Sequence, residues 1–168
     1  CAGMSEAECA ELNREFEEQA RKLRLIYQTT GYLKVMVLLM RFSNHEDRVL
    51  PTPEEYHVVF NSPVPDPLYN VEPGSVKNFL EANSMNTLEI EFDIMPWKTT
   101  DNTEAFYSYN ISGVTRDFGQ SLYPVMDQLE ADGVDFSDYD LDGDGKIDVI
   151  MLLHSGYQAE VGNIDCYT

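Results

Sequence analysis

The stretch Tyr32 to Phe42 constrains the fold more than any other part of the chain. It is apolar almost throughout and β-branched at Val35 and Val37. Alternating polarity would mark a strand with one wet face, whereas a continuous apolar run marks a strand covered on both faces. The segment therefore reads as a central strand. A second apolar run, Ile147 to His154, closed by Ser155-Gly156, reads as another buried strand. Between them, Leu88, Ile90, Phe92 and Ile94 alternate with Glu89, Glu91 and Asp93, which predicts a half-exposed strand nearer an edge.

The intervening segments carry helical signals. Thr52-Pro53-Glu54-Glu55 offers a capping residue, a proline at the first helical position and a glutamate at the third, starting a short helix through about Phe60. Asn61 to Pro73, with four prolines, reads as loop. A helix from Ser75 to about Asn83 is expected to bury Val76, Phe79 and Leu80. The stretch from Trp97 to Ser112 reads as a polar and aromatic loop. A further helix around Asp117 to Ala131 presents Phe118, Leu122, Val125, Met126 and Leu129 on one face, and Pro124 inside it predicts a kink or a late start. At the N-terminus, Ser5 and Glu8 form a capping-box pattern, and Cys9, Leu12, Phe16, Ala20, Leu23 and Tyr27 recur at helical spacing. The expected organisation is an N-terminal amphipathic helical segment over residues 1–31 and an α/β unit over 32–168, a mixed sheet covered by helices.

Charge narrows the function. The 168 residues carry 11 Lys and Arg against 30 Asp and Glu, a formal net charge of −19. Binding to a nucleic-acid backbone needs clustered positive charge, so nucleic acid is excluded as a partner. The longest fully apolar run, Val35 to Met40, falls far short of the roughly 20 residues that cross a bilayer, so no transmembrane segment is expected. No glycine-rich phosphate loop follows a strand. Cys1, Cys9 and Cys166 show no CxxC spacing and suggest neither a thiolate zinc site nor a redox motif. Their pairing stays open.

The acidity is concentrated between Asp132 and Asp148, and its densest part is Asp138-Tyr139-Asp140-Leu141-Asp142-Gly143-Asp144-Gly145-Lys146-Ile147-Asp148. Calcium takes six to eight oxygens, and alternating aspartates on a tight glycine-containing loop supply them. In the better register Asp140, Asp142 and Asp144 take the first, third and fifth positions, Lys146 offers its carbonyl and Asp148 the ninth position. The twelfth position, which normally holds a glutamate, is Met151, so Asp138 or an acid from elsewhere must complete the set. The competing reading is a solvated acidic turn. His45, His57 and His154 form no HExxH, Ser155 lies outside a GxSxG elbow, and Asn110-Ile111-Ser112 is a glycosylation sequon.

Several pieces together resemble a family. Arg41-Phe42-Ser43 after the first strand, Gly74-Ser75-Val76-Lys77-Asn78-Phe79, Asn83-Ser84, and Val134-Asp135-Phe136-Ser137-Asp138-Tyr139-Asp140 running through Asp148 into Leu153-His154-Ser155-Gly156 are similar to the immune-inhibitor-A-type secreted metallopeptidases. The resemblance covers roughly Leu33 to Gly162. It implies a zincin-like partial domain, secretion to an extracellular location, a structural calcium ion, and peptide hydrolysis at a zinc held by an HExxH helix that follows the His-x-Gly strand. The sequence reaches Thr168 without that helix, so zinc is expected only with a missing C-terminal half. The expected partner is that half or another extracellular protein, and this chain alone is expected to be inactive. The alternative is a non-catalytic calcium-binding extracellular module.

Overall fold

The computed structural model of the chain describes residues 10, 11, 14, 31–64, 74–108 and 118–156. The central strand is where the sequence places it: β1, Gly31–Arg41, has Val35 to Met40 buried without interruption. Along one edge it pairs with β2, Leu88–Ile94, and then with the two-residue β3, Lys98–Thr99. Its other edge pairs with β4, Ile150–His154. Met36 and Val37 pair with both β2 and β4, which must therefore lie on opposite edges; Met40 pairs with both β3 and β4, which puts β3 beside β2. Val37 faces Ile94, yet Met40, three residues on, faces Lys98, four residues on. One extra residue thus bulges at Met95-Pro96-Trp97, where proline has no amide to give to a ladder.

All four strands run parallel, where the sequence reading expects a mixed sheet. The cause is the connections, since a parallel pair needs a long crossover, and helices fill each one here. Between β1 and β2 lie α1, Pro53–Asn61, and α2, Val76–Asn83; between β3 and β4 lie α3, Glu104–Ser108, and α4, Leu122–Ala131. Two capping boxes form among the described residues, the expected one at Thr52 and a second at Ser75. Thr52 accepts from the Glu55 amide and Ser75 from the Asn78 amide, and each partner side chain reaches back to the cap amide.

The pleat of β1 divides the core in two. Val35, Val37 and Leu39 pack with Phe60, Ile90 and Phe92 under Tyr56, Val59, Val76 and Leu80 of α1 and α2. Met36, Leu38 and Met40 pack with Phe42, Met95, Tyr107, Val125, Leu129 and Tyr139 on the other face.

Several expectations are corrected. Phe79 is 66% exposed, because Val76 and Leu80 already fill the face that α2 turns to the sheet. Pro124 gives a late start: a 3-10 turn over Phe118–Ser121 precedes α4, which places the proline in the first turn, where its missing amide costs nothing. The Trp97 to Ser112 stretch contains β3 and α3. β4 begins at Ile150, because Asp148 is held by the acidic loop. The N-terminal amphipathic helix lies outside the described residues apart from Ala10, Glu11 and Arg14, which are helical; Asn110, Cys1, Cys9 and Cys166 lie outside them altogether.

The outer edge of β2 is closed by side chains. Asn61 at the end of α1 donates its amide to the Phe92 carbonyl at 2.8 Å and accepts the Phe92 amide at 3.1 Å, and Glu81 of α2 accepts the Ile90 amide at 3.2 Å. Two helix residues thus imitate a neighbouring strand and block further pairing.

Candidate functional site

A 3-10 turn, Phe136–Tyr139, leads into the acidic loop. Asp135 caps it, accepting from the Ser137 hydroxyl at 2.7 Å and amide at 2.9 Å, and these two bonds hold its carboxyl below the usual aspartate range. Tyr139 anchors the loop. Its ring is buried, its hydroxyl donates to Asp93 Oδ2 at 2.5 Å, and Lys34 Nζ sits 4.9 Å from the ring centroid. Burial, then the Asp93 contact, drives the Tyr139 phenol well above the ordinary tyrosine value.

Beyond Tyr139 the chain folds around its own carboxylates. Asp140 accepts the amides of Asp144 at 2.9 Å and Gly145 at 2.8 Å; Asp142 accepts the Asp144 amide at 3.0 Å; Asp148 accepts the Leu141 amide at 2.8 Å. Gly143 at φ 70° and Gly145 at φ 83° make the turns, in a backbone region that side-chain-bearing residues disfavour. The result brings carboxylate oxygens of Asp140, Asp142 and Asp148 within 4.8 Å of one another. Burial pushes the Asp148 carboxyl up, the Leu141 amide pulls it back, and the charges of Asp142, Asp140 and Asp144 push it up again.

Of the six residues that the sequence singles out, three therefore meet. Asp144 directs its carboxylate to Lys146, accepting its amide at 3.0 Å and its ammonium at 3.2 Å. Asp138 lies apart, mostly exposed and 4.0 Å from Lys34 Nζ, so it does not fill the gap left by Met151. The donor set suits a hard cation, because all its atoms are carboxylate oxygens and their mutual repulsion is relieved by positive charge. Zinc favours nitrogen and sulfur, and among the described residues no histidine joins a metal-competent group.

A second polar cluster lies at the C-terminal ends of β1 and β4. Ser155 Oγ accepts the Phe42 amide at 3.0 Å and meets His45 Nδ1 at 2.9 Å, and His45 Nε2 lies 3.2 Å from Glu104 Oε2. All three side chains are buried. A carboxylate facing Nε2 requires a proton on that nitrogen, so in the neutral imidazole Nδ1 accepts from the serine hydroxyl. Arg48 donates to the Ser155 carbonyl at 3.1 Å, and Asn44 accepts the Glu104 amide at 2.9 Å. The cluster joins the 3-10 turn after β1, the start of α3 and the end of β4.

His154, at the end of β4, stays outside this cluster: its side chain is exposed, its ring centroid lies 5.7 Å from that of Phe42, and its Nδ1 accepts the Gly156 amide at 3.1 Å. His45 and Glu104 were not identified as a pair, since 59 residues separate them and neither belongs to a motif. Compared with known proteins, the chain matches no family model and no curated protein.

Proposed function

We propose that this chain is the calcium-stabilised α/β portion of a secreted zinc-metallopeptidase-like protein. The observation that carries the calcium assignment is the convergence of Asp140, Asp142 and Asp148 carboxylates within 4.8 Å on a loop whose amides hold them in place. The ion would sit among these three side chains, with the Lys146 carbonyl as a further oxygen donor, and its role is structural: it neutralises the loop that delivers β4 to the sheet. Two features support the larger assembly. The DxDxDG run passes directly into the His-x-Gly strand, as the metallopeptidase resemblance requires. Ile150 is 40% exposed on β4, whose outer edge meets no strand among the described residues. Further polypeptide carrying HExxH would supply the zinc and the general base, because this chain contains no such motif.

Calorimetric titration with calcium tests the first part. One calcium bound per chain, lost in Asp142→Asn, supports it; no heat of binding in the millimolar range overturns it. The second part is tested by proteolysis assays with added zinc, in which this chain alone should leave casein intact.

A further inference from the structure

β4 is covered less completely than the strand beside it. Val37 and Leu39 of β1 are fully buried, whereas Met151 and Leu153, their partners across the pair, are only half-buried, as is Val149 before them. All five side chains belong to the face that α1 and α2 shelter, yet those helices pack on β2 and on each other. A parallel sheet is normally covered on both faces. β4 lies two strands from β2, a step of about 9.5 Å, and packed helices stand about 8–10 Å apart, so one more helix fits beside α1 and α2.

The course of the chain selects that helix. The crossover from β1 to β2 runs on this face, and the crossover from β3 to β4, which moves the opposite way across the sheet, runs on the other. A right-handed crossover leading outward from β4 would follow the second and leave the strip of Val149, Met151 and Leu153 bare. The segment before β1 is not bound by that rule. Its Cys9, Leu12, Phe16, Ala20, Leu23 and Tyr27 form an apolar stripe at helical spacing. Ala10, Glu11 and Arg14, the three described residues there, are helical and exposed, with Arg14 3.4 Å from Glu11. On a helix of about 3.6 residues per turn these three lie on the side opposite the stripe, so the polar side faces solvent. Only Gln28, Thr29 and Thr30 separate Tyr27 from Gly31, where β1 begins.

We infer that residues 9–27 dock as a helix on this strip, antiparallel to β1, with the apolar stripe against Val149, Met151 and Leu153. Met151 is level with Val37, six residues into β1 and about 20 Å from its start, a distance that about 13 residues of helix retrace. That places Phe16 beside Met151, Leu12 toward Leu153 and Ala20 toward Val149. The docking does not depend on the calcium assignment.

Photo-crosslinking in the full chain tests it. With Phe16→p-benzoylphenylalanine, irradiation of the monomer followed by trypsin should join the Glu15–Arg21 peptide to the peptide that begins at Ile147. The same replacement at the exposed Glu11 should give no adduct with that peptide. An adduct of position 16 with the Val49–Lys77 peptide, which carries α1, with a second copy of the chain, or with nothing overturns the inference. Peroxide gives a second readout. Phe16→Glu should raise the rate of Met151 oxidation several-fold, while the fully buried Met36 and Met40 stay protected and report an intact fold. An unchanged rate at Met151 also overturns the inference.

Discussion

The backbone amide of Asp148 donates to the Tyr139 carbonyl at 2.9 Å, closing the acidic loop directly onto a ring buried in the core. One residue later, the Val149 carbonyl accepts the Met36 amide at 3.3 Å and the β1–β4 pairing begins. Events at the carboxylates therefore reach the sheet through two residues of backbone.

Calcium should stabilise the fold through this linkage. At a concentration about 100-fold above its dissociation constant, a ligand that binds only the folded state contributes about 2.7 kcal/mol. For a chain of this size that raises Tm by about 5–10 °C. Asp148→Asn should remove most of the rise, while its stability without calcium should change little or improve, because the native loop already disfavours the charge on Asp148. Differential scanning calorimetry with calcium and with chelator measures both effects. A Tm shift that persists in the variant would remove Asp148 from the site.

The strands and the loop were legible in the sequence for a common reason. Val35 to Met40 could be read because burial on both faces leaves no polar position, and the loop because hydrogen bonding between residues two to seven apart fixes the Asp and Gly spacing. Other features depend on chain segments far apart in sequence. Asp138 looks like a sixth ligand by spacing, and only the position of Lys34 on β1 shows that it turns away. The exposure of Phe79 is decided by which face of α2 the sheet takes, a face that Val76 and Leu80 already fill, and the His45–Glu104–Ser155 cluster exists only once β1, α3 and β4 share a rim.

Alkaline pH should loosen the edge of the sheet where β1 meets β2. Burial and the hydrogen bond to Glu91 Oε2, at 2.8 Å, push the Tyr32 phenol up to about 12. The folded chain thus keeps a proton that the unfolded chain loses near pH 10, so the stability from this group is complete below pH 10 and is lost as pH rises toward 12. The Tyr139 phenol is shifted further in the same direction. Ultraviolet titration should show Tyr32 and Tyr139 among the late-ionising tyrosines of the wild type, beside Tyr56, which burial also pushes up. Glu91→Gln should bring the Tyr32 phenol down more than that of Tyr139, to whose rise Glu91 is the smallest contributor; an unchanged titration would contradict the Tyr32–Glu91 bond.

Asn61→Ala should have two consequences. It leaves the Phe92 amide and carbonyl without their side-chain partner, which costs about 1–3 kcal/mol at a partly buried site. It also uncovers the edge of β2, with Ile90 and Phe92 alternating along it, for pairing with another chain. Denaturant melts measure the first consequence and light scattering at raised concentration the second. A variant as stable and as monodisperse as the wild type would show that Glu81 alone suffices to close the edge.

The rim cluster sets a steric demand at Gly156. A Cβ built there would stand 2.3 Å from Glu104 Oε1 and 2.8 Å from Phe42 Cε2, both under the closest distance that real Cβ atoms tolerate. Glu104 is also tied to His45, and the Phe42 ring is packed in the core between its neighbours, so a retreat of either one disturbs a contact. Gly156→Ala should therefore cost at least as much as Ser155→Ala. That second change strands the Phe42 amide and the His45 Nδ1 contact, at about 1–3 kcal/mol for each group left unsatisfied. Combining Gly156→Ala with Glu104→Ala relieves the closer of the two clashes, so the pair should be less destabilising than the sum of the single variants. Urea melts of the two single variants and the double variant measure that coupling. Strict additivity would mean that Glu104 is free to move aside and that the rim is not the fixed junction of β1, α3 and β4 described above.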